Sequence, residues 1–413
     1  MPKSTIWSPP LKARSTMPSA DMRGYDFDSD LDALRQHALL RRRKVADTAC
    51  QPETVVDGKP VLAFCSNDYL GLAADPQIAG AMADAARDHG VGSGASHLIS
   101  GHHRLHEQLE AALARFTGMG RSLTFSTGYM ANLALVTSLV GRGDAVFSDT
   151  LNHASLIDAC RLSRAEIHRY PHRDSALLDA LLASSDARRK LVVTDAVFSM
   201  DGDIAPLPEL LAICEQHDAL LVIDDAHGFG VLGADGRGSL SHFGLASPRI
   251  VYMATLGKAA GVAGAFVAGS ASLIEWLLQK GRTYIFTTAA PPAIAAAQSK
   301  AVELIEHGEQ RRAHLNALIA QFRKQLVLRR WSLLESRTPI QPLLIEGNEE
   351  TLEVAARLMD EGLWVPAIRP PTVPANTARL RISFSAAHTE AHVERLVDAL
   401  QRAETGVANQ MTV

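Results

Sequence analysis

The sequence predicts an α/β protein in which a mostly parallel central sheet is covered by helices and followed by a smaller C-terminal α+β domain. Three observations carry that prediction. Between about residues 60 and 290, short runs rich in β-formers alternate with longer helical stretches, as a sheet with crossover helices requires. Several of those runs are apolar at successive positions, which is how strands covered on both faces read. At 413 residues the chain has room for two or three domains.

The elements follow in order. The first twenty residues carry Lys3, Lys12 and Arg14, four prolines and no acid, and they lack an apolar stretch. They read as a flexible tail rather than a secretory leader. Residues 21–65 form an N-terminal arm, with an amphipathic helix over 28–45 ending in Arg41-Arg42-Arg43-Lys44. The segment KPVLAFCSNDYLGL (59–72) is a short strand leading into a loop. A large domain, 66–291, then holds candidate strands at 122–125, 145–148, 191–194, 220–224, 250–254 and 264–268. From Pro292 a small domain, 292–413, opens with a long helix over 292–326, breakable at His307-Gly308. Short strands and helices at 349–361 and 389–402 follow.

Composition excludes several functions. Lys and Arg total 41 against 45 Asp and Glu, a net charge of −4, so no basic excess exists to meet a nucleic acid or an anionic membrane. The uncharged stretch 283–299 contains Pro291-Pro292 and is not a membrane span. Cys50, Cys65, Cys160 and Cys214 form no C-x-x-C pair and read as reduced thiols of a cytoplasmic protein.

Three segments look chemical. In SLTFSTGYMANLALVTSLV (122–140) a strand runs through Ser126-Thr127-Gly128-Tyr129 directly into a helix, whose N-terminus favours an anion such as a phosphate. In LLVIDDAHGFGVLG (220–233) the acids Asp224 and Asp225 end an apolar strand, where open α/β sheets bind ligands, and His227 follows. A metal site or a capping acid fits that pattern as well. In RIVYMATLGKAAGVAG (249–264) Lys258 stands among small uncharged residues after another buried strand. It is one of only nine lysines, and desolvation there favours the neutral, nucleophilic amine. A phosphate seat, an acid for a ring nitrogen and a Schiff-base lysine are together the parts a pyridoxal 5′-phosphate site needs. His102 and His106 are spaced i, i+4 as zinc ligands can be, but no H-E-x-x-H pattern accompanies them, and a cleft-lining helix is the better reading.

In these motifs the chain resembles the α-oxoamine synthases, acyl-transferring enzymes of the aspartate-aminotransferase fold. The resemblance runs from about Leu31 to Arg402 through SNDYLGL (66–72), GSGASHLISG (92–101), NHASLIDA (152–159), FSMDGDIAPL (198–207), DDAHGFGVLG (224–233), TLGK (255–258) and RPPTVPANTARLRIS (369–383). Its implications are residue by residue. Lys258 would carry pyridoxal phosphate, Asp224 would pair with its ring nitrogen and His153 would stack on its face. His227 and Ser199 would surround its phenolic oxygen. Gly128 and Tyr129 would line the cofactor site, and Thr255 would touch the phosphate. Thr287 or Thr288 would reach a phosphate in the partner subunit of a homodimer whose active sites lie at the interface. Arg381 would clamp an amino-acid carboxylate, with Asn67 nearby, while Arg41 and Thr372 would meet the acyl substrate or the product. Arg379, its neighbour on the strand, is expected at the surface.

The implied reaction joins L-alanine to a pimeloyl thioester, on coenzyme A or acyl carrier protein, with loss of carbon dioxide, on the route to biotin. A sister reaction would use glycine or serine with another acyl thioester. The sequence departs from the family pattern at His97 and at Ala259-Ala260. A nicotinamide dehydrogenase is disfavoured, because no G-x-G-x-x-G opens a helix after a strand.

Overall fold

The computed structural model describes the backbone of residues 26–36 and 39–410, so the expected tail over 1–20 lies outside the described residues. By its internal contacts the chain divides into two units, Met1–Val45 and Ala46–Val413. In the first, helix α1 (Phe27–Gln36) has Asp28 and Asp30 in its first turn and Arg35 in its last, complementing the helix dipole. The helix expected to reach residue 45 does not: residues 39–45 are non-helical and Arg41 is exposed. Consecutive cations such as Arg41 and Lys44 repel at i, i+3 on a helix, and α1 buries no residue that could hold an extension in place.

The second unit begins with the hairpin β1 (Glu53–Val56) and β2 (Lys59–Ala63). Helices α2 (Pro76–His89) and α3 (Arg104–Thr117) precede the alternation that builds the main sheet. That alternation runs β3 (Arg121–Phe125), α4 (Gly128–Leu139), β4 (Ala145–Asp149), α5 (Ala154–Ser163) and β5 (Glu166–Tyr170). It continues through α6 (Ser175–Ala183), β6 (Lys190–Asp195), α7 (Leu207–Gln216) and β7 (Ala219–Asp224). After α8 (Ser239–Phe243) come β8 (Ile250–Thr255) and β9 (Ala265–Gly269).

The seven strands are ordered β3-β9-β8-β7-β6-β4-β5, all parallel except β9, which runs antiparallel to both neighbours. Residues alternate between two cores: Leu221 and Ile223 of β7 face one, and Val222 faces the other. This explains why those strands read as continuous apolar runs. Strand β5 was not legible because it is the sheet edge, and its sequence EIHRY is largely polar.

Past the main sheet, α9 (Ala271–Lys280), the short α10 (Arg282–Ile285), α11 (Pro292–Glu306) and α12 (Glu309–Gln325) follow, the last two parted at His307-Gly308 as expected. A four-stranded antiparallel sheet closes the chain, ordered β10 (Ser332–Leu333), β11 (Ile340–Glu346), β14 (Ala378–Ser383), β13 (Ala367–Ile368). Strand β12 (Leu363–Trp364) instead pairs in parallel with β2. Helices α13 (Asn348–Asp360) and α14 (Glu390–Gln410) complete this part, and one continuous core joins it to the main sheet. All six residues of β14 are buried. Arg379 is therefore not the surface residue expected: it is 4% exposed, and its Nη1 donates to Asp201 Oδ1 (2.6 Å) and to the Met200 carbonyl (3.2 Å). The segment after β6 folds over β14 and gives Arg379 a carboxylate that local sequence could not reveal.

That segment is also tied down by His172, whose ring lies between Asp149 (3.1 Å from Nδ1) and Asp203 (2.8 Å from Nε2). Burial opposes a charge on His172, but hydrogen bonds and the negative charges of the two aspartates prevail and raise it to about 9. A histidine raised in the folded state stabilises fully below its unfolded value of about 6.5 and loses that contribution as pH rises through about 9. We expect His172→Gln to cost on the order of 2 kcal/mol at pH 6 in urea unfolding, with the deficit shrinking between about pH 6.5 and 9. A pH-independent deficit would count against a charged His172.

Candidate active site

The carboxyl ends of the parallel strands point to one edge of the sheet, and the candidate residues gather there. After β3, Thr127 caps α4: its Oγ1 accepts the Met130 N–H (3.1 Å), and Gly128 and Tyr129 open the helix whose first amides lack intrahelical partners. Gly128 sits at this turn. Tyr129 turns outward, its hydroxyl bonded to Asp158.

Asp224 ends β7 in a buried setting, where Oδ2 accepts from Asn132 Nδ2 (2.7 Å) and Oδ1 from the Ala226 N–H (3.0 Å). Asn132 also donates to Ser155 Oγ (2.8 Å). The next residue plays another part. Asp225 accepts the Ser239 N–H and the Tyr252 hydroxyl, both at 2.7 Å, and burial pushes it up to about 7. Both acids accept a backbone N–H, but Asp225 is turned to Ser239 and Tyr252, whereas the charge of Asp224 acts on the lysine.

Lys258 follows β8, its Nζ 2.8 Å from His227 Nε2. Burial lowers its ammonium to about 8, with Asp224 and Asp195 pulling the other way and Arg381 adding to the fall. His153 precedes α5 and caps it through Nδ1. Burial lowers His153, Asp224 raises it, and the charge of Lys258 lowers it again, so the three side chains share one electrostatic space. His227 is buried and held well below the ordinary imidazole range, chiefly by desolvation and then by Lys258. On its other side, Nδ1 lies 2.6 Å from the Tyr69 hydroxyl.

Arg381, on β14, is 5% exposed. It donates from Nε to the Ser199 carbonyl (2.5 Å), from Nη1 to Ser383 Oγ (2.9 Å) and from Nη2 to Asn67 Oδ1 (3.1 Å). These acceptors are all uncharged, and among the described residues no carboxylate lies within 4 Å of it. Ser199 therefore reaches the network through its backbone.

Other expected residues stand elsewhere or are otherwise engaged. The Thr255 hydroxyl donates to the Gly264 carbonyl (2.9 Å) and accepts the Gly257 N–H (3.1 Å). Thr287 is half-buried, and the exposed Thr288 bridges Ser96. Thr372 is exposed in the loop before β14, and Arg41 belongs to the first unit. His97, His102 and His106 come together, the first two through Nδ1–Nδ1 at 2.8 Å. Both nitrogens of His106 are committed, Nδ1 to the His103 N–H and Nε2 to the Ala290 carbonyl.

Two participants escaped the sequence reading. Tyr69 lies within SNDYLGL, but nothing local signals its contact with a histidine 158 positions away. Asp195 ends the run LVVTD just as Asp224 ends LLVID, a signal that was there to be used. It is buried, accepts the His153 N–H (2.6 Å), and is pushed well above the usual carboxylate range by desolvation and by Asp224.

The donor set fits pyridoxal phosphate: an amine of lowered basicity, a carboxylate held by an amide, a neutral imidazole and a helix N-terminus share one cleft. Residues 59–400 match the family model described as aminotransferase class I and II, and the chain belongs to that family of fold-type I pyridoxal-phosphate enzymes. It is 61% identical over 376 residues to the 8-amino-7-oxononanoate synthase of Azoarcus sp. (strain BH72), covering 91% of this chain and 96% of that one. At this likeness it falls within the 8-amino-7-oxononanoate synthase group, which are acyltransferases. Among solved structures, one of SPT with PLP superposes at a TM-score of 0.86 with 32% identity, covering 92% of this chain and 98% of its own. An 8-amino-7-oxononanoate synthase from Francisella tularensis gives 0.72 and 30%, covering 85% and 99%.

The lowered Lys258 makes a direct prediction. Below about pH 8 the unprotonated fraction of its amine falls tenfold per pH unit. Capture of added pyridoxal phosphate by cofactor-free protein, followed by borohydride trapping, should slow in that proportion below pH 8 and level off above it. A break near 10.5 would instead mean an unperturbed lysine.

Proposed function

We propose that the chain condenses L-alanine with a pimeloyl thioester, pimeloyl-CoA or pimeloyl-acyl carrier protein, giving 8-amino-7-oxononanoate, carbon dioxide and the free thiol carrier in biotin biosynthesis. The observation that carries this reading is Arg381, a buried guanidinium without an acidic partner among the described residues, sharing a cleft with the weakly basic Lys258. A buried cation held by neutral acceptors alone is stabilised by an arriving anion, and a planar fork suits a carboxylate. High identity to synthases of this name supports the choice of alanine and pimeloyl thioester over glycine or serine.

When bound, pyridoxal phosphate withdraws electrons from the amino acid's Cα, so that the carbon can lose its proton and attack a thioester carbonyl. Lys258 carries the cofactor at rest and, once displaced, takes the Cα proton on Nζ and later returns one. Asp224, steadied by Asn132, keeps a proton on the ring nitrogen. His153 would cover the ring face and His227 would hold the phenolic oxygen. Arg381 and Asn67 fix the carboxylate, which orients the Cα proton toward Lys258. Gly128 and Tyr129 would line the cofactor site through the turn that opens α4, Thr255 would add a phosphate contact, and Thr287 or Thr288 would serve the partner subunit's phosphate. By the resemblance, Arg41 and Thr372 would each serve the acyl substrate or the product. In this reading the large domain over 66–291 holds the cofactor and the small one over 292–413 brings Arg381. The protein works as a cytoplasmic homodimer with its active sites at the interface.

Purified protein should be yellow, and Lys258→Ala should lose the borohydride-reducible linkage. L-Alanine with pimeloyl-CoA should release carbon dioxide. Turnover with glycine but not alanine would move the protein to a sister activity. Arg381→Lys keeps the charge but loses the fork, and it should raise the KM for alanine about 10- to 100-fold with a smaller fall in kcat.

A further inference from the structure

Asn132 belongs to α4, the helix that opens with Gly128 and Tyr129, and it is fully buried. Its amide nitrogen lies between two acceptors, Asp224 Oδ2 at 2.7 Å and Ser155 Oγ at 2.8 Å. A carboxylate only accepts, so the amide atom turned to Asp224 is the nitrogen, and its two N–H bonds serve the two contacts. Ser155 is in the first turn of α5, and its Oγ is 2.8 Å from His153 Nδ1. One side chain thus joins the acid that ends β7 to the histidine that caps α5.

The other half of this amide is unmet. Asn132 Oδ1 is buried and has no hydrogen-bond partner among the described residues. A buried acceptor without a partner costs stability, and an apolar side chain of the same shape avoids that cost. Every other buried residue of α4 takes the apolar solution: Ala131, Ala134, Leu135, Val136 and Leu139. As a packing residue Asn132 is therefore unfavourable, and its contribution lies in what its nitrogen holds.

We infer that Asn132 is a positioning residue for the cofactor, fixing the carboxylate of Asp224 and, through Ser155, the ring of His153 as one unit. The inference rests on the reading that Asp224 meets the ring nitrogen of pyridoxal phosphate and His153 its face. Those two side chains come from different elements, β7 and the turn before α5, yet they must fit one planar ring together. A shared tether sets them against each other within the tolerance of a hydrogen bond. The N–H bond to Oδ2 also favours the ionised form of Asp224, the form that keeps a proton on the ring nitrogen. Because the tether starts from α4, the helix that offers its N-terminus to the phosphate also fixes the partners of the ring.

The test compares Asn132→Leu with the unaltered protein in two measurements that need no turnover. Leucine has nearly the shape of asparagine and removes both the N–H donors and the unmet oxygen. The cofactor-free variant should melt at the temperature of the unaltered cofactor-free protein or above it. Its dissociation constant for pyridoxal phosphate, followed through the visible band, should rise about tenfold. Ser155→Ala cuts only the link to His153 and should raise that constant less. Added to Asn132→Leu, it should change nothing further. Unaltered affinity in Asn132→Leu overturns the inference, as does a lower melting temperature of its cofactor-free form. Additive effects of the two substitutions overturn it as well. If neither Asp224→Ala nor His153→Ala weakens cofactor binding, the reading of those two residues fails instead, and the two failures are distinct.

Discussion

The cleft depends on one uncompensated charge. Arg381 is buried in the middle of the antiparallel sheet, and its guanidinium is met by a backbone carbonyl, a serine hydroxyl and an amide oxygen. Desolvating a cation without a counter-ion is costly, and it persists only where fixed dipoles substitute for water. Those dipoles come from three places far apart in the chain: Ser199 beyond β6, Ser383 on β14 itself and Asn67 after β2. Satisfying one side chain thus pins three segments around the same space. Arg379, two residues earlier, shows the ordinary solution, since Asp201 neutralises it. The contrast between neighbouring arginines of one strand separates an ion pair from a buried charge met by neutral acceptors alone.

Around that cation the sheet supplies acids. Strands β4, β6 and β7 each end in aspartate, because parallel strands bring their carboxyl ends to one edge. Asp195 and Asp224 are register partners on neighbouring strands, so both cannot be charged cheaply in a buried setting. The structure treats the three acids differently. Asp149 is paired with the charged ring of His172, Asp224 is bonded by an amide and a backbone N–H, and Asp195 is driven toward its protonated form while accepting from His153. Of the three, Asp224 is the one whose charge acts most on Lys258.

What could be read from the sequence follows from where each interaction is encoded. Strands buried on both faces announce themselves as apolar runs, and Lys258 was visible because a lone lysine among alanines and glycines is a local anomaly. The cue at Asp224-Asp225 was also local, yet only the fold separates the two acids, since their partners, Asn132 and Ser239, lie on different elements. The edge strand β5 escaped because half-exposed strands carry polar residues. Arg379 and Arg381 look alike in ARLRIS; the residues that distinguish them, Asp201 and Asn67, are 178 and 314 positions away. The His227–Tyr69 contact belongs to the same class. Local chemistry is written locally, whereas electrostatic partnership across a fold is not.

Arg381 also bears on the basicity of Lys258. Through space, its positive charge disfavours a second cation in the cleft and helps to lower the lysine. In the proposed reaction that effect is removed when a carboxylate docks on Arg381 and neutralises it. On the proposed function, docking of the amino acid would raise the proton affinity of the lysine nitrogen at the stage when that nitrogen, displaced from the cofactor, has to accept the Cα proton. A lysine that is weakly basic while it has to act as a nucleophile, and more basic once it has to act as a base, suits the two roles proposed for Lys258.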